Sequence, residues 1–180
     1  MKTKPYGRLI TMSGDATKPE LRSVDEVAVI PHVCNDLGGW GKGFVLALNK
    51  AFGFLPKNTY LLDVTSYGSE SNPENSLGSV SYANMIDKRK IVVANMIAQH
   101  AYIDALHNPR PLRYDALFEC MINVAQHVIG MRKIDNINAS IHCPKFGSDL
   151  AGGNWDFIEK MIEDCWCRRG IDVTVYVWAG

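Results

Sequence analysis

An α/β protein, with one sheet covered by helices on both faces, is what this sequence predicts. Apolar runs of strand length alternate with segments whose apolar residues recur at helical spacing, the pattern of layered α/β folds. The run EVAVIPHVC (residues 26–34) is apolar at nearly every position, as a strand buried on both faces requires. Two glycine-rich stretches, residues 35–44 and 144–155, directly follow strand segments, where open α/β sheets gather their ligands.

The elements follow in order. GRLITMSGD (7–15) alternates weakly and stops at a turn, as a short first strand would; residues 26–34 form the second. Beyond the first glycine loop, Phe44, Val45, Leu48, Ala51 and Phe52 recur at helical spacing, and Gly53 stands where that helix can end. Residues 56–76, which contain SYGSESNPENS, read as an irregular polar surface loop. LGSVSYANM (77–85) and RKIVVANMIAQ (89–99) read as adjacent strands separated by a charged turn at 87–90. Residues 102–111, with His107 and two prolines, are a second irregular stretch. Leu117, Met121, Val124, Ala125 and Val128 mark one face of a long helix expected to stop near Gly130. NASIHCPKF (138–146) is a strand broken at Pro144. Trp155, Ile158, Ile162, Cys165 and Trp166 line one side of a final helix, opposite Asp156, Glu159, Lys160 and Glu163. IDVTVYVW (171–178) closes the chain as a strand. A single domain over residues 1–180 is expected, without internal repeats.

Composition excludes several classes. With 19 basic and 19 acidic residues, the chain has no global field to hold nucleic acid or an anionic membrane, so neither partner is expected. Arg168-Arg169 and residues 88–90 read as solvated turn or helix-end charges. No apolar run approaches the roughly 18 residues of a membrane span, and the first ten residues lack the apolar stretch of a signal peptide. The five cysteines form no even framework, which suits free thiols in a reducing cytoplasm. Cys165-x-Cys167 is one residue short of a C-x-x-C pair, so no structural metal and no cofactor are expected.

The first glycine loop, NDLGGWGKGF, fits neither common phosphate-binding motif. A P-loop needs a glycine at Asp36 and Ser or Thr at Gly43; the dinucleotide fingerprint would need glycine at Phe44 or Leu46. The second, PKFGSDLAGGNW, leads into the last helix, with Asn154 as a candidate N-cap. Backbone N–H groups at such a helix start, with the helix dipole, suit anionic oxygens. Two such cradles could straddle a diphosphate without a large positive charge.

SGD (13–15), HVCNDLGGWGKGF, LGSVSY, ANMIAQ, LRYDAL and PKFGSDLAGGNW, taken in order, resemble the macro domain family. The likeness is to the branch of ADP-ribose 1''-phosphatases and terminal ADP-ribose protein glycohydrolases, over most of the chain outside the two irregular stretches. It implies a three-layer α/β/α macro domain with a central mixed sheet and an ADP-ribose cleft. By position, Asp15 would accept from the adenine amino group, Ala16 would add a backbone contact and Asn35 would face the distal ribose. Gly39, Trp40, Gly41, Lys42, Gly43 and Phe44 would hold the phosphates from one side, with Trp40 as a shield. Phe146, Gly147, Ser148, Asp149, Leu150, Ala151 and Gly152 would hold them from the other. Tyr176 and Trp178 are candidates to flank adenine, or else to pack in the core.

The same resemblance bears on chemistry. Where the glycohydrolase branch has a nucleophilic lysine and an assisting aspartate, this chain has Gln99, His100 and Ala151, and an amide cannot form an adduct with a ribose carbon. His32, Asn35 and Asp149 are the catalytic candidates that are left. The expected reaction is phosphate removal from ADP-ribose 1''-phosphate, with His32 as general base or nucleophile. Asp149 would orient the imidazole, protonate the leaving oxygen, or serve only as a turn residue. Non-catalytic ADP-ribose recognition and a lysine-independent de-ADP-ribosylation are the alternatives, the latter with an ADP-ribosylated protein as partner. His100 and His142 are expected to be structural.

Overall fold

The computed structural model describes residues 5–179. Strand β1 (Leu9–Ser13) is followed by β2 (Val27–Asn35), α1 (Phe44–Phe52), α2 (Leu55–Tyr67), β3 (Val80–Met85) and the one-turn α3 (Ile86–Arg89). Then come β4 (Ile91–Gln99), α4 (Tyr114–Lys133), β5 (Ala139–Pro144), α5 (Trp155–Cys165) and β6 (Val173–Val177). The strands form one mixed sheet in the order β1-β6-β5-β2-β4-β3. Among the described strands only the β3–β4 pairing is antiparallel, as its one-turn connection permits; the parallel pairs need longer crossovers.

The apolar runs on β2 and β4 explain the layers. Because successive side chains leave opposite faces of a strand, each run feeds two cores. Val27, Val29, Val92, Ala94, Met96 and Ala98 enter a core shared with α4 and α5. Ala28, Ile30, Cys34, Ile91, Val93 and Ile97 enter a second core, beneath α1 and α2. Helices therefore cover both faces, and the segments that leave β2, β4, β5 and β6 emerge along one edge of the sheet.

Two elements depart from expectation. Residues 55–67, inside the stretch read as a loop, form helix α2. Its first turn carries Pro56, which suits a position with no intrahelical N–H bond to make, and it fully buries only Pro56 and Tyr60. So narrow a contact leaves no apolar stripe to recognise. Its attachment is polar as well: the Tyr60 hydroxyl donates to the carbonyl oxygen of Asn35 at 2.6 Å. The second departure is α4, which continues through Gly130 to Lys133. Arg132, in that added turn, donates to the carbonyls of Ala139 and Gly170 and so anchors the helix end to β5 and the approach to β6.

A methyl group at Gly130 would meet no atom within 4 Å. Gly130→Ala should therefore stabilise the fold by about 0.5–1 kcal/mol, by removing the excess backbone entropy of glycine in a helix interior. Thermal unfolding should shift upward by about 2–4 °C; a shift downward would mean the helix is broken there.

Candidate ligand-binding cleft

A cleft of about 1130 Å³ opens along the edge where those strands end. Its walls are the β1–β2 connection at residues 14–18, the first glycine loop, the second glycine loop, and Gln99, Tyr102 and Ile103 beyond β4. His32, Cys34 and Tyr176 reach it from the sheet, and Trp178 stands beside it.

Asn35 organises the first loop. Its side-chain oxygen accepts from the N–H groups of Leu37 and Gly39 at 3.0 and 2.9 Å, and the Tyr60 hydroxyl, whose proton goes to the Asn35 backbone carbonyl, lies 3.0 Å from it. Its amide nitrogen donates to the carbonyl oxygen of Gly39 at 2.9 Å. Gly39 is pressed so closely that a Cβ would lie 2.6 Å from the Tyr102 ring and 2.9 Å from the Asn35 amide, so a larger residue would displace both side chains. Gly43, at φ 78°, turns the chain into α1. Among the described residues, no protein acceptor bonds the N–H groups of Gly41, Lys42 or Gly43. Across the cleft, the N–H groups of Asp149 and Leu150 are equally unengaged. Asn154 caps α5, accepting from the N–H of Phe157 at 3.1 Å. The second loop is fixed from within by the Gly153 N–H bonding the Gly147 carbonyl at 2.8 Å.

His32 sits in a buried polar row. Residues His32, Asn95 and Ser81 are register partners on β2, β4 and β3. The Asn95 amide nitrogen donates to the Pro56 carbonyl at 3.0 Å and to the Ser81 hydroxyl at 3.1 Å. A carbonyl can only accept, so the Asn95 oxygen must face His32, and His32 Nε2 donates to it at 2.7 Å. The neutral imidazole therefore keeps its lone pair on Nδ1. Burial, partly offset by the Asn95 bond, lowers its pKa to about 4. Cys34 Sγ lies 3.8 Å from both ring nitrogens, off the line of the Nδ1 lone pair, and burial pushes its thiol well up. This Cys–His–Asn grouping thus lacks the alignment and the thiolate that a nucleophile needs.

A second buried chain holds Tyr176. Ser140 gives its one proton to the Glu26 carboxylate, so its oxygen accepts from His142 Nε2 at 2.9 Å. His142 Nδ1 then accepts from the Tyr176 hydroxyl at 2.9 Å, and that hydroxyl accepts from the Glu20 N–H at 2.8 Å. Burial raises the Glu26 carboxyl, but hydrogen bonds from Ser140 and the Arg22 N–H, with His142 and Arg22 close by, bring it below its usual value. Burial holds His142 below its usual pKa despite Glu26. The row is a carboxylate and a neutral imidazole, with each proton assigned.

Several expected site residues lie elsewhere. Trp40 is no shield: its indole is buried in the core under α1, against His32 and Tyr60, with Nε1 donating to Asn49 at 3.0 Å. Ser148 and Gly152 are off the cleft wall. The Ser148 hydroxyl donates to the Lys145 carbonyl, and Gly152 packs against the backbone of Pro109 and Arg110. Asn35 lines the cleft, yet its amide is engaged by the loop. Trp178 is not in the core but 71% exposed at the cleft edge. Asp15, Ala16, Gly39, Gly41, Lys42, Gly43, Phe44, Phe146, Gly147, Asp149, Leu150 and Ala151 all line the cleft. Asp149 makes no side-chain hydrogen bond to His32. Sequence reading missed Asp36, whose buried carboxylate accepts from the Ala101 N–H at 2.8 Å and bonds His100 Nδ1 at 2.6 Å. That clamp holds the turn before Tyr102; the only sequence sign of it was a charge inside an otherwise glycine-rich loop.

No family model matches the chain. A Bacteroides thetaiotaomicron protein of unknown function is 39% identical, with a TM-score of 0.79 over 95% of this chain and 98% of that one. A macrodomain protein from Streptomyces coelicolor is 36% identical, with a TM-score of 0.70 over 94% and 98%. Thermosipho africanus DarTG, solved in complex with ADP-ribose, shares the fold at 12% identity, with a TM-score of 0.57 over 84% of this chain and 38% of that one. The mouse chromodomain-helicase-DNA-binding protein 1-like is 28% identical over 174 residues, 92% of this chain but only 17% of its own length.

The depressed pKa of His32 has a consequence for stability. Below about pH 6.5 the unfolded chain takes up a proton that the folded imidazole refuses until about pH 4. Stability is therefore full above pH 6.5 and lost as pH falls toward 4, by about 2 kcal/mol between pH 7 and pH 5. His32→Gln, which keeps an N–H donor for Asn95, should lack this component. Urea unfolding at the two pH values should show a loss smaller by about that amount in the variant; equal losses would mean that His32 titrates normally.

Proposed function

Because the chain belongs to the macro domain family, we propose that its cleft binds ADP-ribose. The pyrophosphate would lie between the two glycine loops, with adenine at Asp15 and Ala16. The observation that carries this reading is the pair of loops in which the N–H groups of Gly41, Lys42 and Gly43 on one side and of Asp149 and Leu150 on the other have no partner in the protein, as an anion site requires. Asp15 suits its part: Oδ1 is engaged by the N–H and hydroxyl of Thr17, which fixes the carboxylate and leaves Oδ2 for an exocyclic amine. That DarTG was solved with ADP-ribose adds support from a neighbour of the same fold. Asn35 would serve the distal ribose by holding the loop around it.

Removal of the terminal phosphate from ADP-ribose 1''-phosphate is the second reading, favoured by His32 reaching the cleft with its tautomer fixed. Recognition leads because a base with a pKa of about 4 is poorly matched to taking a proton from water near neutrality. Gln99, on the wall where a lysine would act, spends its amide on the Ala101 carbonyl at 2.8 Å.

Calorimetry with ADP-ribose should show one site, weakened about tenfold or more by Asn35→Ala, which removes several hydrogen bonds worth about 1 kcal/mol each. No heat with the wild type would overturn the reading. Phosphate release from ADP-ribose 1''-phosphate, abolished in His32→Gln with binding intact, would put the phosphatase in its place.

A further inference from the structure

The cleft wall that carries Asp15 and Ala16 hangs from one strand. Between Gly14 and Glu20 the β1–β2 connection is bonded to itself: the Thr17 N–H and hydroxyl donate to the Asp15 carboxylate, and the Lys18 N–H donates to the Asp15 carbonyl. Among the described residues, its hydrogen bonds to the rest of the protein lie at its two ends, and both reach β6. The Gly14 N–H donates to the Val177 carbonyl at 3.0 Å, and the Glu20 N–H to the Tyr176 hydroxyl at 2.8 Å. The Tyr176 ring also lines the cleft and lies beneath Gly14, where a Cβ would come within 3.0 Å of it.

The bond to Glu20 is conditional, because the phenol proton is committed to His142 Nδ1. That nitrogen accepts only while the imidazole is neutral. With a proton on Nδ1, two N–H groups would aim at one phenol oxygen, and the phenol proton would have no acceptor in the row. A buried donor without a partner costs about 1–3 kcal/mol, so one bond yields. His142 is buried, with Glu26 3.8 Å from its Nε2 to hold an imidazolium in place. Glu20 is exposed, so water can take over its N–H and accept the phenol proton. The Glu20 bond is the one that gives.

Few other charges face the row. Glu20 and Arg22 approach from the connection, Arg132 from α4 and Asp172 from the residue before β6, where it pairs with Arg22. The Cys143 thiol on β5 is kept neutral by burial. We propose that Tyr176 is a positioning residue for the bound nucleotide, and that a single proton on His142 detaches it from the wall carrying Asp15 and Ala16. Ligand affinity then falls in acid, and by reciprocity ligand binding in acid expels the proton. This rests on the ADP-ribose reading. Burial, which holds His142 below its usual pKa of 6.5, keeps the wall fastened at neutrality.

The test is calorimetry with ADP-ribose from about pH 8 to about pH 5, each point in two buffers of different ionisation heat so that released protons are counted. The wild type should bind about fivefold more weakly at the acid end, the low end of such couplings, and should release protons there. Tyr176→Phe keeps the ring and removes the hydroxyl; it should bind more weakly at the alkaline end and lose both the acid weakening and the proton release. His142→Gln, which cannot titrate, should lose both as well, and it decides the matter if the phenylalanine variant fails to fold. A wild-type affinity that does not change with pH, or an acid weakening that persists in either variant, overturns the proposal. Absence of ADP-ribose binding at every pH would instead overturn the reading beneath it.

Discussion

The carboxamide of Asn95 is the contact on which the cleft side of this molecule depends. It is fully buried in the middle of β4 and reaches three other elements: His32 on β2, Ser81 on β3 and the first turn of α2 through Pro56. An unsatisfied polar group at that depth costs about 1–3 kcal/mol, so register, helix position and histidine tautomer are fixed together or not at all. A slip of one residue between β2 and β4 would leave every member of the row without its partner and turn both apolar faces inside out. From that register follows the exit of β2 at Asn35, and from Asn35 the shape of the first glycine loop.

The cleft divides its work between two kinds of positive charge. Peptide N–H groups, fixed by the loops, offer short-range donors that cost little reorganisation when an anion arrives. Lysines around the rim add attraction that is solvated, adjustable and sensitive to salt. Formal neutrality of the whole chain conceals this arrangement, because the balance of charge differs between cleft and surface.

Much of the fold was legible because burial leaves a periodic trace. The unbroken apolar runs of β2 and β4, the spacing on α1 and α5, and the Asn154 cap are all local patterns with tertiary consequences. α2 was not legible, since it docks through one tyrosine and one proline turn. The end of α4 was misjudged because glycine costs a helix only about 1 kcal/mol, less than the anchoring by Arg132 can supply. At the site, sequence brought most of the cleft-lining residues to the right loops but could not aim their side chains. Trp40 looked available beside four glycines, yet Tyr60, His32 and Asn49 gave it a buried seat. The Asn35 bond to the Leu37 N–H is an Asx turn, a local signal present in NDLGG that pointed to scaffolding.

The hydrogen-bonded series from Glu20 to Glu26 has a further meaning for traffic through the cleft. It latches the β1–β2 connection onto β5 and β6, with the Glu20 N–H bonded to Tyr176 near its middle and Glu26 bonded to Ser140 at its end. That bank cannot swing outward as a flap without exposing a carboxylate, an imidazole and a phenol in one motion. Across the cleft, Tyr102 and Ile103 are half-exposed, on a segment that the Asp36 carboxylate joins to the first glycine loop through the Ala101 N–H.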